Sequence, residues 1–191
     1  QASILAGIPP AVGATTVNKV CGSGMKAVML AGQSLRLGEE DLAAAGGMES
    51  MTKAPFLVEK LRAGHRYGNT VLADAILKDG LIDPYSGVHM GDCGEACAEK
   101  YAITRAQQDD FATRSYKLAL EAQNSGAFKE EIVEIDGIIL DEEPARGKPE
   151  KAARLKPAFK EGGTITAFNA SKINDGAAAL ILASDKGAAG K

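Results

Sequence analysis

The chain has 191 residues, 45% of them apolar and 25% charged, with a formal net charge of −3. That length supports one large domain or one domain carrying a sizeable insertion. The acidic balance, the lack of tryptophan and an aromatic content of 5% argue against nucleic acid or an anionic membrane surface as partners, and no apolar run approaches the roughly 18–20 residues that cross a bilayer.

Residues 1–7 read as the final turns of a helix stopped by Gly7. No signal peptide is visible, and the expectation is a chain that begins inside a longer architecture. Thr15-Thr16-Val17-Asn18-Lys19-Val20 then reads as a buried strand and residues 22–37 as a helix ended by Gly38. Cys21 lies at the bend between them, followed by Gly22 and Gly24. A thiol at the start of a helix faces free backbone N–H groups and the positive end of the helix dipole, the setting in which cysteines act as nucleophiles. The glycines allow a ligand to approach the backbone and leave N–H groups for an oxyanion. Residue chemistry alone keeps the alternative open, a small buried hydrophobe after a strand.

Leu42-Ala43-Ala44-Ala45-Gly46-Gly47 is a second short strand. The spacing predicts a right-handed parallel crossover that places residues 15–20 and 42–47 in one sheet. Residues 52–90 carry scattered turn signals, with a short helix near 70–78. Residues 91–101 are helical, and Thr104 caps the next helix with Gln107 as its capping-box partner. Phe111, Ser115, Leu118 and Ala122 fall on one face of that helix, which ends at Gly126. Residues 132–135 and 137–140 read as two strands about a turn. Ala177-Ala178-Ala179-Leu180-Ile181-Leu182-Ala183 is a third buried strand that returns to the first sheet, so that residues 49–172 form an insertion.

Few other residues carry chemistry. His65 lies in a polar loop. His89 opens a helix and suits a structural or pocket-lining role more than that of a base. Cys93 and Cys97 share one helical face and read as core residues rather than metal ligands, and no zinc is expected. The odd number of cysteines speaks against a disulfide framework and for a reducing compartment. The basic run Arg146, Lys148, Lys151, Arg154, Lys156 and Lys160 is either a solvated surface or a seat for a polyanionic small molecule such as a nucleotide phosphate. The loop from Asn169 to Gly176 is either a simple turn or a place where a thin substrate arm passes the backbone. No Gly-x-Ser-x-Gly elbow is present, which removes an α/β-hydrolase reading.

Four motifs point to one family. The segment Asn18-Lys19-Val20-Cys21-Gly22-Ser23-Gly24-Met25-Lys26-Ala27 resembles the nucleophile motif of thiolases. Gly46-Gly47-Met48-Glu49-Ser50-Met51 and His89-Met90-Gly91 resemble their next two motifs. Asn169-Ala170-Ser171 with Asn174-Asp175-Gly176-Ala177-Ala178-Ala179 resembles the segment that returns to the core. The order and spacing cover nearly the whole chain, and the pattern looks most like the acetyl-CoA acetyltransferase (acetoacetyl-CoA thiolase) branch.

The resemblance implies an α/β fold: part of the thiolase N-terminal core, a mixed sheet packed by helices, with an inserted α+β loop domain. It assigns residues 1–48 and 173–191 to the core and 49–172 to a CoA-binding loop domain. It makes Cys21 the acyl acceptor, with its own backbone N–H in the oxyanion hole. Leu81, Tyr85, His89 and Met90 would line the pantetheine tunnel. Arg146, Lys148 and Lys151 would meet the adenine and phosphate end of coenzyme A, and Ala167 and Ser171 the pantetheine arm. Coenzyme A and acetyl-CoA enter as substrates, with no tightly bound cofactor and no metal. The stretch 57–75 matches a loop that joins dimers into a tetramer, so a homo-oligomer is implied, in the cytoplasm or, in a eukaryote, the mitochondrial matrix.

Two positions depart from the family pattern. Phe168, counted with Ala167 and Ser171 among the CoA-binding residues, stands where a small residue is usual, and a bulky ring beside Ala167 would narrow the tunnel or shift the loop and so alter acyl-chain preference; Lys172 stands where Gly or another uncharged residue is usual. The family's Gly-His-Pro, Asn-Glu-Ala-Phe and Cys-x-Gly-Gly-Gly motifs, which supply the activating histidine, a water-holding asparagine and a second cysteine, do not occur between residues 1 and 191. The resemblance therefore implies the middle half of a thiolase, inactive by itself. A 3-ketoacyl-CoA thiolase of fatty-acid β-oxidation and a non-catalytic acyl-CoA-binding fragment are the alternatives.

Overall fold

The computed structural model describes residues 1–189. In chain order the elements are α1 (Ala2–Leu5), α2 (Ser23–Leu37), β1 (Leu42–Ser50), β2 (Phe56–Leu57), β3 (Ala73–Asp74), α3 (Met90–Lys100), α4 (Arg105–Ser125), α5 (Glu143–Arg146), α6 (Pro149–Ala152), β4 (Asp175–Ala183) and α7 (Asp185–Ala189). The chain divides into two compact units. One comprises Gln1–Gly80 with the segment from Ile173 onward, and the other Leu81–Lys172. Residues 49–80, read from sequence as part of the insertion, lie in the same unit as β1 and β4.

In the first unit β1 pairs with β4 antiparallel, from Leu42 opposite Ala183 to Ser50 opposite Asp175. The parallel crossover expected between residues 15–20 and 42–47 is not formed. Residues 15–20 have no ladder in the structure beyond a single bridge between Lys19 and Cys21. A β-branched run favours extended backbone, but a strand exists only where another strand takes its hydrogen bonds. The third strand does return to the second as expected, yet it is not buried: Leu180 is 58% and Ile181 73% exposed. A two-stranded ribbon leaves most of its surface uncovered.

Helix α2 lies against β1, and glycines set how closely. A Cβ on Gly47 would come within 3.2 Å of Gly24 Cα, so backbone meets backbone at the start of the helix. A Cβ on Gly46 would collide with the Ala178 carbonyl across the ribbon. Gly38 ends α2 at φ 72°, the left-handed stop expected of a glycine there. At the far end of the ribbon, the Asp175 carboxylate accepts from Thr52 N–H at 2.9 Å and from the hydroxyls of Ser50 and Thr52. These bonds, led by the Thr52 hydroxyl, hold Asp175 below the usual carboxylate range.

In the second unit α4 begins with the capping box that Thr104 and Gln107 predict and ends at Gly126, φ 73°. Its packed face is not the expected one. Phe111 is 74% and Leu118 51% exposed, whereas Ala112 is buried. The core is a cluster of Ala112, Ala152 and Phe168 with Tyr116 and Leu155 against it. Arg105, half-buried, donates to the carbonyls of Ala152 and Leu155 and pairs with Asp109 at 2.7 Å. The segment after α6 is thereby tied to the start of α4.

Three smaller expectations are also revised. The helix near 70–78 is a wide π-type turn over Leu77–Leu81. The hairpin at 132–140 is reduced to one bridge, Ile135 to Ile138. Its turn residues Asp136 and Gly137 both have positive φ, 51° and 80°, as a tight hairpin turn requires, but a lone hairpin gains too little burial to extend. Cys97 is exposed and Cys93 half-buried rather than both in the core, because the side of α3 that packs inward carries Glu95 and Ala98.

Candidate active site

Cys21 is exposed, immediately before Gly22, the N-cap of α2. A braced turn holds it. The Ser23 hydroxyl donates to the Val20 carbonyl at 2.6 Å and accepts from Lys19 N–H at 2.8 Å. The Asn18 side chain accepts from Val20 N–H at 2.9 Å, and Gly22 N–H reaches the Lys19 carbonyl at 3.0 Å. Val20 itself has φ 49°. A β-branched residue in the left-handed region is strained by about 1–2 kcal/mol and persists only where its surroundings impose it. Here Ser23 and Asn18 impose it, and the outcome is a thiol raised on a sharp bend at the amino end of a helix, beside the N–H groups that the first helical turn leaves free.

The other sequence-predicted residues belong to the second unit. Leu81 and His89 are half-buried, Met90 is 41% exposed and Tyr85 97% exposed. His89 caps α3: its Nδ1 accepts from Gly91 N–H at 2.8 Å, which places the ring proton on Nε2. Its ring stacks on Phe159 at 4.9 Å between centroids, and a Cβ on Gly91 would run into that same phenyl ring. His89 thus has a structural role at the start of α3. Tyr85 stands on a closed turn in which Asp83 N–H donates to Val88 O and Gly87 N–H to Asp83 O, both at 2.8 Å. Hydrogen bonds from Ser86 hold the Asp83 carboxyl below its ordinary range.

The basic run is exposed throughout its first three members, and Arg146 forms an ion pair with Glu142 at 3.0 Å. Ala167 and Ser171 are exposed, while Phe168 between them is buried. The ring expected to crowd the neighbouring arm instead stacks on Tyr116 within the core, centroids 5.3 Å apart. Lys172 also turns inward, its ammonium donating to carbonyls of the same loop.

Sequence reasoning missed the residues that fix this loop. Glu95 is 5% exposed, and its carboxylate accepts from the N–H groups of Thr164 and Ile165 and from the Thr164 hydroxyl, all at 2.8–2.9 Å. Burial works against its charge, but these donors outweigh burial and keep it ionised below the ordinary carboxylate range. Asn169 donates to Asp109 and to the Thr164 carbonyl and accepts from Thr166 N–H. Tyr116, pushed up to about 12 by burial and by its hydrogen bond to Glu143, completes the set. A glutamate three residues before Ala98, on the same side of α3, was the one visible signal.

A two-stranded ribbon with a glycine-seated helix, a cysteine on a strained bend at that helix's start, and a second, largely helical unit that falls between the paired strands in the chain together fit a thiolase-type α/β fold. Residues 1–186 match the family described as the thiolase N-terminal domain, and the chain belongs to that family. It is 51% identical to acetyl-CoA acetyltransferase 2 of Arabidopsis thaliana over 96% of this chain and 48% of that protein. It is 46% identical to a probable acetyl-CoA acetyltransferase of Dictyostelium discoideum over 97% and 47%. Among solved structures, the Acat5 thiolase of Ascaris suum in complex with coenzyme A superposes with a TM-score of 0.90 at 43% identity, covering 96% of this chain and 49% of that one. The chain thus spans about half the length of the curated relatives it matches. Among the described residues, no helix is long and apolar enough to cross a membrane.

Proposed function

We propose that this chain carries the acyl-accepting half of a CoA-dependent acetyl-CoA acetyltransferase. The Cys21 Sγ attacks the thioester carbon of acetyl-CoA. The tetrahedral oxyanion is received in part by the backbone N–H of Cys21, and the coenzyme A thiolate leaves as an acetyl-cysteine thioester forms. The enolate of a second acetyl-CoA then attacks that thioester. A carbon–carbon bond forms, Sγ is released, and acetoacetyl-CoA is the product; thiolysis is the reverse. Leu81, Tyr85, His89 and Met90 line the pantetheine path, Ala167 and Ser171 touch the arm, and Arg146, Lys148 and Lys151 meet the phosphates. The observation that carries the reading is the exposed thiol on the braced bend at residues 18–23.

Of the two histidines, His65 lies in the same unit as Cys21 and His89 in the second unit. His65 bonds the Gly68 carbonyl through Nε2, and His89 caps α3. We therefore propose that the residue taking the Cys21 proton lies outside these 191 residues, that the isolated chain does not turn over acetoacetyl-CoA, and that the full-length protein is a homo-oligomer joined through residues 57–75.

The test is mass spectrometry of the full-length protein after exposure to acetyl-CoA. One acetyl group is expected on the peptide containing Cys21, and the Cys21→Ala variant should show neither the adduct nor thiolysis. Acetylation at Cys93 or Cys97 with none at Cys21 overturns the assignment.

A further inference from the structure

The loop 166–172 is held by a closed circuit of side chains that the proposed chemistry leaves unused. The Phe168 ring stacks on Tyr116. The Tyr116 hydroxyl donates to Glu143 at 2.6 Å. Glu143 lies 3.9 Å from the Lys172 ammonium, with the two side chains 20% and 27% exposed. Lys172 Nζ in turn donates to the carbonyl oxygens of Ala167, Phe168 and Ala170, the last at 3.0 Å and that of Phe168 at 3.4 Å, which returns the circuit to its start.

An ammonium has three N–H donors, and three carbonyls of one short loop meet them. Each trans peptide points its C=O and N–H in opposite directions. Drawing the Ala170 carbonyl to Lys172 therefore turns the Ser171 N–H away from the ammonium. The Phe168 side chain is anchored inward by its ring, and the exposed Ala167 and Ser171 remain as the loop's outward elements.

We propose that Lys172 is a positioning residue that sets the backbone of the acyl-CoA-binding loop 167–171, with Glu143 and Tyr116 fixing its ammonium. The inference rests on the reading of Ala167 and Ser171 as pantetheine contacts. It predicts that substrate affinity depends on a lysine that touches no substrate.

The test uses the full-length protein in its Lys172→Met, Lys172→Arg and Glu143→Gln variants. Three quantities are read: the coenzyme A dissociation constant by calorimetry, KM against kcat for acetoacetyl-CoA thiolysis, and amide exchange over residues 166–172 without ligand. Lys172→Met should weaken coenzyme A about ten-fold and raise KM by more than it lowers kcat. It should also speed exchange at Phe168 and Ala170, whose N–H groups bond Thr166. Lys172→Arg should recover part of the affinity, and Glu143→Gln should weaken binding about three-fold. Unchanged affinity and unchanged exchange in Lys172→Met overturn the inference, as does faster exchange spread evenly over the whole chain. If Lys172→Met does not fold, Lys172→Arg and Glu143→Gln decide by the same readouts. Failure of the unmodified protein to bind coenzyme A removes the acyl-CoA reading, and this inference with it.

Discussion

The Ser23 hydroxyl donates to the Val20 carbonyl at 2.6 Å while Val20 holds φ 49°. The residue after the cysteine's glycine thus secures the strained residue before the cysteine. Pre-organised strain next to a reactive group is stable only while its brace persists, and that makes Ser23 a control point for Cys21.

Ser23→Ala should cost about 1 kcal/mol of stability, the net worth of a hydrogen bond. Its larger effect should be local, slowing iodoacetamide labelling of Cys21 about three-fold as the bend loosens. Denaturant unfolding and timed alkylation followed by peptide mapping read the two effects separately. A variant that unfolds earlier yet labels at the original rate would detach the brace from thiol presentation.

The glycine seat of α2 on β1 makes a second prediction. Gly47→Ala brings a methyl within 3.2 Å of Gly24 Cα, a contact that a small backbone shift can absorb. Gly46→Ala drives a methyl into the Ala178 carbonyl, which the β1–β4 ladder prevents from yielding. Overpacking typically costs 1–3 kcal/mol, so Gly47→Ala should fall near ~1 kcal/mol and Gly46→Ala near ~3 kcal/mol. Parallel urea titrations check the order, which matters more than either value.

Glu95 gives the pH dependence. Its carboxyl is held below its ordinary value of 4.5 in the folded protein. The unfolded chain therefore binds a proton there more readily than the folded one. The stability it contributes is complete above 4.5 and is lost as pH falls through the depressed folded value. Glu95→Gln should lower stability at neutral pH by about 1–3 kcal/mol, because an amide oxygen accepts less strongly than a carboxylate from the Thr164 and Ile165 N–H groups. It should also flatten the loss of stability below 4.5. Unfolding midpoints measured from pH 3 to pH 7 (roughly the range in which carboxyls titrate) test both; a parallel acid limb in the variant would place the titration elsewhere.

Phe168→Ala removes the largest ring from the Ala112–Ala152 cluster and the stacking partner of Tyr116. The expected cost is about 3–5 kcal/mol, read by thermal and denaturant unfolding. A loss under about 1 kcal/mol, of the size seen for surface positions, would mean that the ring does not pack in solution as it does in the structure.

Local signals in the chain were legible wherever a single turn or helix end settles the matter. Gly38 and Gly126 end their helices because each takes a left-handed φ. Thr104 and Gln107 form their reciprocal cap, and Asp136-Gly137 make their tight turn. The nucleophile motif was legible as a pattern, but the strain at Val20 and its brace were not, because a φ angle is imposed by surrounding bonds. The face of α4 was misassigned for a related reason. Phe111 and Leu118 are apolar, yet what decides their exposure is which side meets α5, α6 and Phe168.

By itself, then, the sequence determined the limits of α2, α3 and α4, the cysteine at a bend before a helix, and the family. Only the tertiary structure decided that Leu42–Ser50 pairs antiparallel with Asp175–Ala183, and that Phe168 and Lys172 turn into the loop's support. Helix ends and turns depend on neighbours a few residues away. Strand partners, buried rings and a lysine gathering three carbonyls depend on groups brought together from distant parts of the chain, and their energies exist only once those parts have met.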